Sequence, residues 1–78
     1  MTNLFRILDG ICVGEHAAET LANEDQIVNY AEACGESIDY AEARRIQTAG
    51  RRWMDERESG NGEWGRMRAD ARRALDDA

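Results

Sequence analysis

The feature that most constrains this chain is the helical spacing of its apolar residues in a sequence without a single proline. Apolar side chains recur three and four residues apart, which is the period of an amphipathic helix. Because proline interrupts helices most strongly, its absence leaves long helices unobstructed. A chain of 78 residues has room for one thin core only. The sequence therefore predicts an all-α fold, a compact bundle of three to four helices, formed by one domain over residues 1–78.

The first segment is compatible with two local structures. The apolar residues of positions 4–11 have helical spacing, and Thr2 or Asn3 precedes them as a cap. The pair Asp9-Gly10, however, is also a strong signal for a hairpin turn. We favour the helix, and an α+β fold with an N-terminal β-hairpin at residues 4–13 is the alternative.

The rest of the chain predicts further helices. Residues 15–22 are predicted to form a helical piece. Asn23 begins a helix over 24–34, which ends at Gly35. Ser37 caps the longest helix, over 38–57, and a last helix covers 63–76. The buried faces of the last three helices are expected to contain Ile27, Ala31, Cys34, Ile38, Ala41, Ile46, Ala49, Trp53, Trp64, Met67, Ala71 and Leu75.

Charge is distributed unevenly along the chain. The net charge is −6, but residues 1–43 carry nine acids and Arg6 alone (−8), whereas residues 44–78 carry seven acids and nine arginines (+2). So large an acidic excess argues against ordinary binding to duplex DNA, which requires many basic residues on phosphates. The acidic residues that we expect to bind a partner are Glu24, Asp25, Glu32, Glu36, Asp39 and Glu42.

This acidic stripe predicts a protein partner with a basic surface. Complementary charge steers association, while aromatic anchors supply affinity. Tyr30 and Tyr40 lie within the stripe and are the candidate anchors. The alternative is that the charged helix face is merely a solvated surface.

Four arginines of the longest helix form a second candidate site. Arg44, Arg45, Arg51 and Arg52 precede Trp53, and guanidinium groups beside an aromatic ring suit phosphate or RNA. Residues 26–46 also have the outline of a helix-turn-helix. These features predict, as the alternative function, a small DNA- or RNA-binding regulatory protein. The competing interpretation is that the arginines face the acids of helix 24–34 within the monomer or across a dimer.

Catalytic and metal-binding chemistry is not indicated. His16 is the only histidine and has no recognisable catalytic partner set, and Cys12 and Cys34 are explained as buried small apolar residues. We therefore expect no enzyme activity, no cofactor and no metal. With no evident signal peptide or spanning segment, a cytoplasmic protein is expected, and a homodimer is compatible with each function.

Two resemblances to known families add functional expectations. The segment Gly35-Glu36-Ser37-Ile38-Asp39 is similar to the Asp-Ser-Leu motif of acyl carrier proteins, which implies a phosphopantetheine arm on Ser37. As a whole, the short acidic chain resembles the small proteins of phages and mobile elements, including anti-CRISPR proteins. That resemblance, carried by the acidic run from Glu24 to Glu42, implies an inhibitor that mimics DNA and blocks a CRISPR effector subunit.

Overall fold

The computed structural model describes residues 3–59 and 64–76, and it confirms the all-α fold. This part of the chain contains five helices: α1 (Leu4–Cys12), α2 (Ala17–Leu21), α3 (Glu24–Ala33), α4 (Tyr40–Ser59) and α5 (Trp64–Asp76). The number exceeds the expected three to four because the short helical piece predicted over 15–22 counts as a helix of its own, α2.

Helix α1 shows that the hairpin alternative for residues 4–13 is wrong. The side chain of Asn3 accepts a hydrogen bond from the Arg6 amide at 3.1 Å and caps the helix. The apolar residues of α1 are then buried together along one stripe, whereas a strand would have divided them between two faces. The helical period therefore outweighs the local turn preference of Asp9-Gly10.

Both ends of helix α3 were predicted from local sequence signals. The side chain of Asn23 accepts a hydrogen bond from the Asp25 amide at 2.8 Å. At the other end Gly35 has a φ of 84°, a conformation that glycine adopts without steric cost. The Glu36 amide donates to the Ala31 carbonyl at 2.9 Å, and the Gly35 amide donates to the Glu32 carbonyl at 3.0 Å. These two bonds form a Schellman motif.

Helix α4 begins later than the sequence predicted, and its cap is Asp39 rather than Ser37. The side chain of Asp39 accepts from the Glu42 amide at 2.8 Å, while the side chain of Glu42 accepts from the Asp39 amide at 3.2 Å. This reciprocal pair is a capping box. Ser37 is exposed in the connection before it, so the expected helix over 38–57 is the helix Tyr40–Ser59.

The core joins all five helices and differs from the predicted one at three positions. Ala41 is exposed and Ala43 is buried in its place, because α4 turns a different face towards α1 and α3. Cys34 is exposed because it follows the last turn of α3, whereas Cys12 is buried in α1. The side chain of Trp64 lies outside the described part of the chain. The other predicted core residues are buried or, for Ala49, half-buried.

Helix α4 is the central element and packs against each of the other four. Helix α5 runs antiparallel to it, since Arg45 near the start of α4 reaches Leu75 near the end of α5. On the opposite side of α5, Arg68 binds both carboxylate oxygens of Asp9 in α1, at 3.0 and 3.2 Å. The start of α4 is thus placed beside α3, and its middle faces α5.

Candidate functional site

Six predicted acidic residues occupy α3, the connection after it and the beginning of α4. We call Glu24, Asp25, Glu32, Glu36, Asp39 and Glu42 the acidic face. Asp25 and Glu32 are exposed on one side of α3, two helical turns and about 10 Å apart.

A tyrosine connects the two helices that carry the acidic face. The hydroxyl of Tyr40, in the first turn of α4, donates a hydrogen bond to Asp25 at the beginning of α3. This hydrogen bond, with the nearby charges of Asp25 and Glu24, raises the pKa of Tyr40 above its ordinary value of 10.0. The ring is nevertheless 57% exposed. Tyr40 is therefore held in one orientation while its aromatic face remains accessible to a partner.

Besides Asp25, three acids of the acidic face already have partners within the protein. Asp39 and Glu42 form the capping box of α4. Glu24 accepts a hydrogen bond from Nε of Arg44 at 3.3 Å. Hydrogen bonding does not remove the charge of a carboxylate, so six carboxylates and one guanidinium leave five net negative charges on this surface.

Glu32 and Glu36 are less constrained. Among the residues whose side chains the structure describes, neither carboxylate has an ion pair or hydrogen bond. Glu32 is exposed and Glu36 is half-buried beyond the end of α3. These two residues can therefore contact a partner without giving up an internal interaction.

The two candidate tyrosine anchors differ in their surroundings. Tyr30 is half-buried and packs against the core. Its hydroxyl lies so close to Gly10 that a Cβ atom there would stand 2.5 Å from the hydroxyl oxygen. Burial, followed by the neighbouring Cys34, raises the pKa of Tyr30. Tyr30 thus fills the contact between α1 and α3, and Tyr40 is the accessible anchor.

The structure divides the four predicted arginines between two clefts that α4 lines. Arg51 lines a cleft towards α2, with Leu21 and Asp55. The other three line an open groove between α4 and α5, which we call the arginine groove. Its walls include Arg44, Arg45 and Arg52, with Ala49, Ala74 and Leu75 between them. The sequence placed all four on one face, and α5 residues such as Ala74 had no local signal that linked them to this site.

Each of the first two groove arginines has one partner on another helix. Arg44 pairs with Glu24, as described above. Nη2 of Arg45 donates to the Leu75 carbonyl at 3.0 Å, which satisfies one of the last carbonyls of α5. The expected pairing of the arginines with the acids of helix 24–34 is therefore observed for Arg44, whereas Arg45 faces α5.

The connection between α3 and α4 bears on the helix-turn-helix interpretation. Residues 34–39 separate the two helices, whereas the turn of a helix-turn-helix has about three to four residues. Tyr40 and Arg44, which would lie on the recognition helix, are held by Asp25 and Glu24 of the preceding helix. These contacts direct the side chains of Tyr40 and Arg44 towards α3 and hold α3 against α4.

The structure gives the positions of the histidine and cysteine that the sequence analysis weighed as catalytic or metal-binding residues. His16 lies at the surface, with Nδ1 3.5 Å from Glu19, and Cys12 is in the core. Across residues 3–59 and 64–76, no three His, Cys, Asp or Glu side chains are placed to share a metal ion. Ser37, the candidate carrier residue, is exposed two positions before the cap of α4.

Comparisons with known proteins identify no relative. No family model matches the sequence, and neither the curated proteins nor the solved structures gave a match. Within the described helices, none is both long and apolar enough to cross a membrane.

Proposed function

We propose that this protein is an inhibitor or adaptor that binds a protein partner through its acidic face. The partner presents a basic surface, of the kind that a nucleic-acid-binding protein uses to hold phosphates. A CRISPR effector subunit, the target of the phage-encoded inhibitors that this chain resembles in profile, is one such partner. In that role the acidic face would occupy the partner's nucleic-acid site.

The observation that supports this proposal most is the placement of Tyr40. An exposed aromatic ring, oriented by its hydrogen bond to Asp25, stands among carboxylates of two helices. Aromatic side chains at the centre of an interface supply much of the binding energy. A rim of charged groups orients the partner as it approaches and raises the rate of association. Because the ring is already oriented, little side-chain freedom is lost when it binds.

The charges of the acidic face predict how binding depends on salt. The face carries five net negative charges, while the part of α4 that follows carries arginines. Exposed charges are screened by salt, with a Debye length of about 10 Å at 0.1 M ionic strength. Association through this face should therefore weaken steadily as salt rises, and the partner's own nucleic acid should compete for the same surface.

The experiment is an affinity capture from host lysate over a series of salt concentrations, with the wild type and two variants. The test variant carries Asp25→Arg, Glu32→Arg and Glu36→Arg. The control is Asp55→Arg, an exposed acid on α4 that lies about 22 Å along the helix from Tyr40. Captured proteins are identified by mass spectrometry, and the binding of each to its own nucleic acid is measured with and without this protein.

The proposal expects that the wild type and the control both capture a nucleic-acid-binding protein, and that salt releases it. In the presence of the wild type or the control, this captured protein should also lose its own nucleic acid. The triple variant should neither capture it nor displace the nucleic acid. Equal capture by the triple variant, with the same salt dependence, would contradict the proposal. Each variant is first checked for an unchanged helical circular dichroism spectrum, so that lost binding is not lost folding.

A further inference from the structure

The arginine groove is a concentrated positive site on an acidic protein. It encloses about 500 Å³ between α4 and α5, within the size range of ligand sites, and it is open to solvent. Of the side chains that the structure describes, three guanidinium groups and no carboxylate line it. In a chain of net charge −6, such a local concentration of positive charge favours an anionic ligand.

The internal partners of these arginines leave donors for a ligand. An arginine side chain has five N–H donors. Arg44 uses Nε for Glu24, and Arg45 uses Nη2 for the carbonyls of α5. These contacts orient the guanidinium groups and leave the other N–H groups of both side chains for a ligand. Arg52 is exposed on the same side of α4 as Arg45.

The spacing of the arginines indicates how far the ligand extends. Arg45 and Arg52 are two helical turns apart, which is about 10 Å along α4. Arg52 also lines a neighbouring cleft with Asp70 and Arg73. Nη2 of Arg73 lies 3.9 Å from Asp70, and that carboxylate marks the end of the positive region. A ligand that contacts all three groove arginines therefore carries negative charges distributed over about 10 Å, or about three phosphates at the spacing of a nucleic-acid strand.

The walls between the arginines favour an extended ligand over a helix of another protein. They are formed by Ala41, Thr48, Ala49, Ala74 and Leu75, which are small side chains apart from Leu75 and offer few large apolar groups to the apolar stripe of a docking helix. Burying three guanidinium groups under such a helix would also cost free energy unless each found a partner. A single nucleic-acid strand meets the arginines with phosphates and stays in contact with water on its other side.

We propose that the arginine groove binds a short segment of single-stranded nucleic acid through its phosphates. None of the described residues that line the groove is aromatic, so the bases are not stacked and the strand is bound with little regard to sequence. This site adjoins the acidic face but does not depend on the function proposed for it. The protein thus has two oppositely charged binding surfaces that meet at the Glu24–Arg44 pair.

The test is titration of the isotope-labelled protein with hexathymidylate, followed by nuclear magnetic resonance at several salt concentrations. The amide signals that move should be those of residues 41–52 and 74–75. The logarithm of the binding constant should fall against the logarithm of salt concentration with a slope of about −2, since three phosphate contacts to a single strand contribute about −0.7 each. Hexaadenylate should bind with similar affinity, and hexaglutamate should bind more weakly.

Two neighbouring arginines provide a matched pair of variants. Arg52→Gln should weaken binding by about tenfold, which corresponds to about 1.4 kcal/mol, and Arg44→Gln should also weaken it. Arg51→Gln removes the same charge from a residue that lines the cleft towards α2 and not the groove, so it should weaken binding less than Arg52→Gln does. The proposal is overturned if hexathymidylate moves no groove signals, if Arg51→Gln weakens binding as much as Arg52→Gln, or if hexaglutamate binds more tightly.

Discussion

Helix α4 belongs to both charged regions, and the two hold their side chains by different kinds of contact. In the acidic face, Asp39 and Glu42 are fixed by each other's backbone amides, three residues apart in the sequence. In the arginine groove, Arg44 is held by Glu24, 20 residues away, and Arg45 by Leu75, 30 residues away. The capping carboxylates are held locally, whereas the groove arginines, and the contacts of Glu24 and Asp25 within the acidic face, depend on the packing of helices.

This difference has a consequence for what each region can do. Carboxylates that cap a helix keep their positions as long as that helix forms, so the beginning of α4 presents a fixed negative charge. The groove arginines depend on the relative positions of α3, α4 and α5. Ligand binding in the groove should therefore depend on the packing of these helices, whereas partner binding to the acidic face should depend mainly on α3 and the start of α4.

The largest effect is expected at the aromatic anchor of the acidic face. Tyr40→Ala should weaken binding of the captured partner by about 30-fold, the loss typical of an interface hot spot. Tyr40→Phe keeps the ring and removes only the hydrogen bond to Asp25, so it should weaken binding less. Both affinities can be measured by surface plasmon resonance. If Tyr40→Ala binds as tightly as the wild type, the anchor has been assigned to the wrong residue.

The next largest effect is a loss of stability, which should differ between two arginines of α4. Arg45→Ala removes hydrogen bonds from a charged donor to the last carbonyls of α5 and should lower the free energy of unfolding by about 1.5 kcal/mol. Arg51→Ala, on an exposed site of the same helix, should change it by less than about 0.5 kcal/mol. Urea unfolding followed by circular dichroism measures both. Equal losses would show that Arg45 does not hold the end of α5.

A smaller effect distinguishes the cap from the charge at Asp39. Asp39→Ala should lower the free energy of unfolding by about 1 kcal/mol because the Glu42 amide loses its acceptor. Asp39→Ser keeps an acceptor at the cap and removes the charge, so most of the stability should remain while partner binding becomes less sensitive to salt. The same urea measurement applies. A serine variant as unstable as the alanine variant would mean that charge, rather than the hydrogen bond, stabilises the start of α4.

The smallest expected effect is a change in the titration of Tyr40. Its pKa is raised because the protonated hydroxyl donates to Asp25 and because an ionised ring would stand beside two carboxylates. The contribution of this bond to stability is therefore present below pH 10.0 and is lost as pH rises through the raised pKa. Asp25→Asn should lower the pKa of Tyr40. Tyrosinate absorbance measures this in a Tyr30→Phe background, and an unchanged titration would contradict the assigned contact.

The helices and most of their ends follow from the sequence because the contacts that fix them are local. The caps at Asn3 and Asn23 and the glycine at 35 act on amides or carbonyls within five residues. Asn23 and Gly35 were recognised from residue type and spacing, and Asn3 was one of two candidates with Thr2. The start of α4 was misplaced because Ser37 and Asp39 are both good caps. Only the position of Glu42, three residues after Asp39, distinguishes them.

The acidic composition of the first half and the arginines of α4 were also evident from the sequence by itself. What tertiary structure decided is which of these side chains meet. Arg51 and Arg52 are neighbours in the sequence, yet packing places one towards α2 and the other towards α5. The pairing of Asp9 with Arg68 joins residues 59 positions apart. Helical periodicity specifies the direction in which each side chain points around the axis of its helix. Which other helix lies on that side depends on how the apolar stripes of all the helices are buried together.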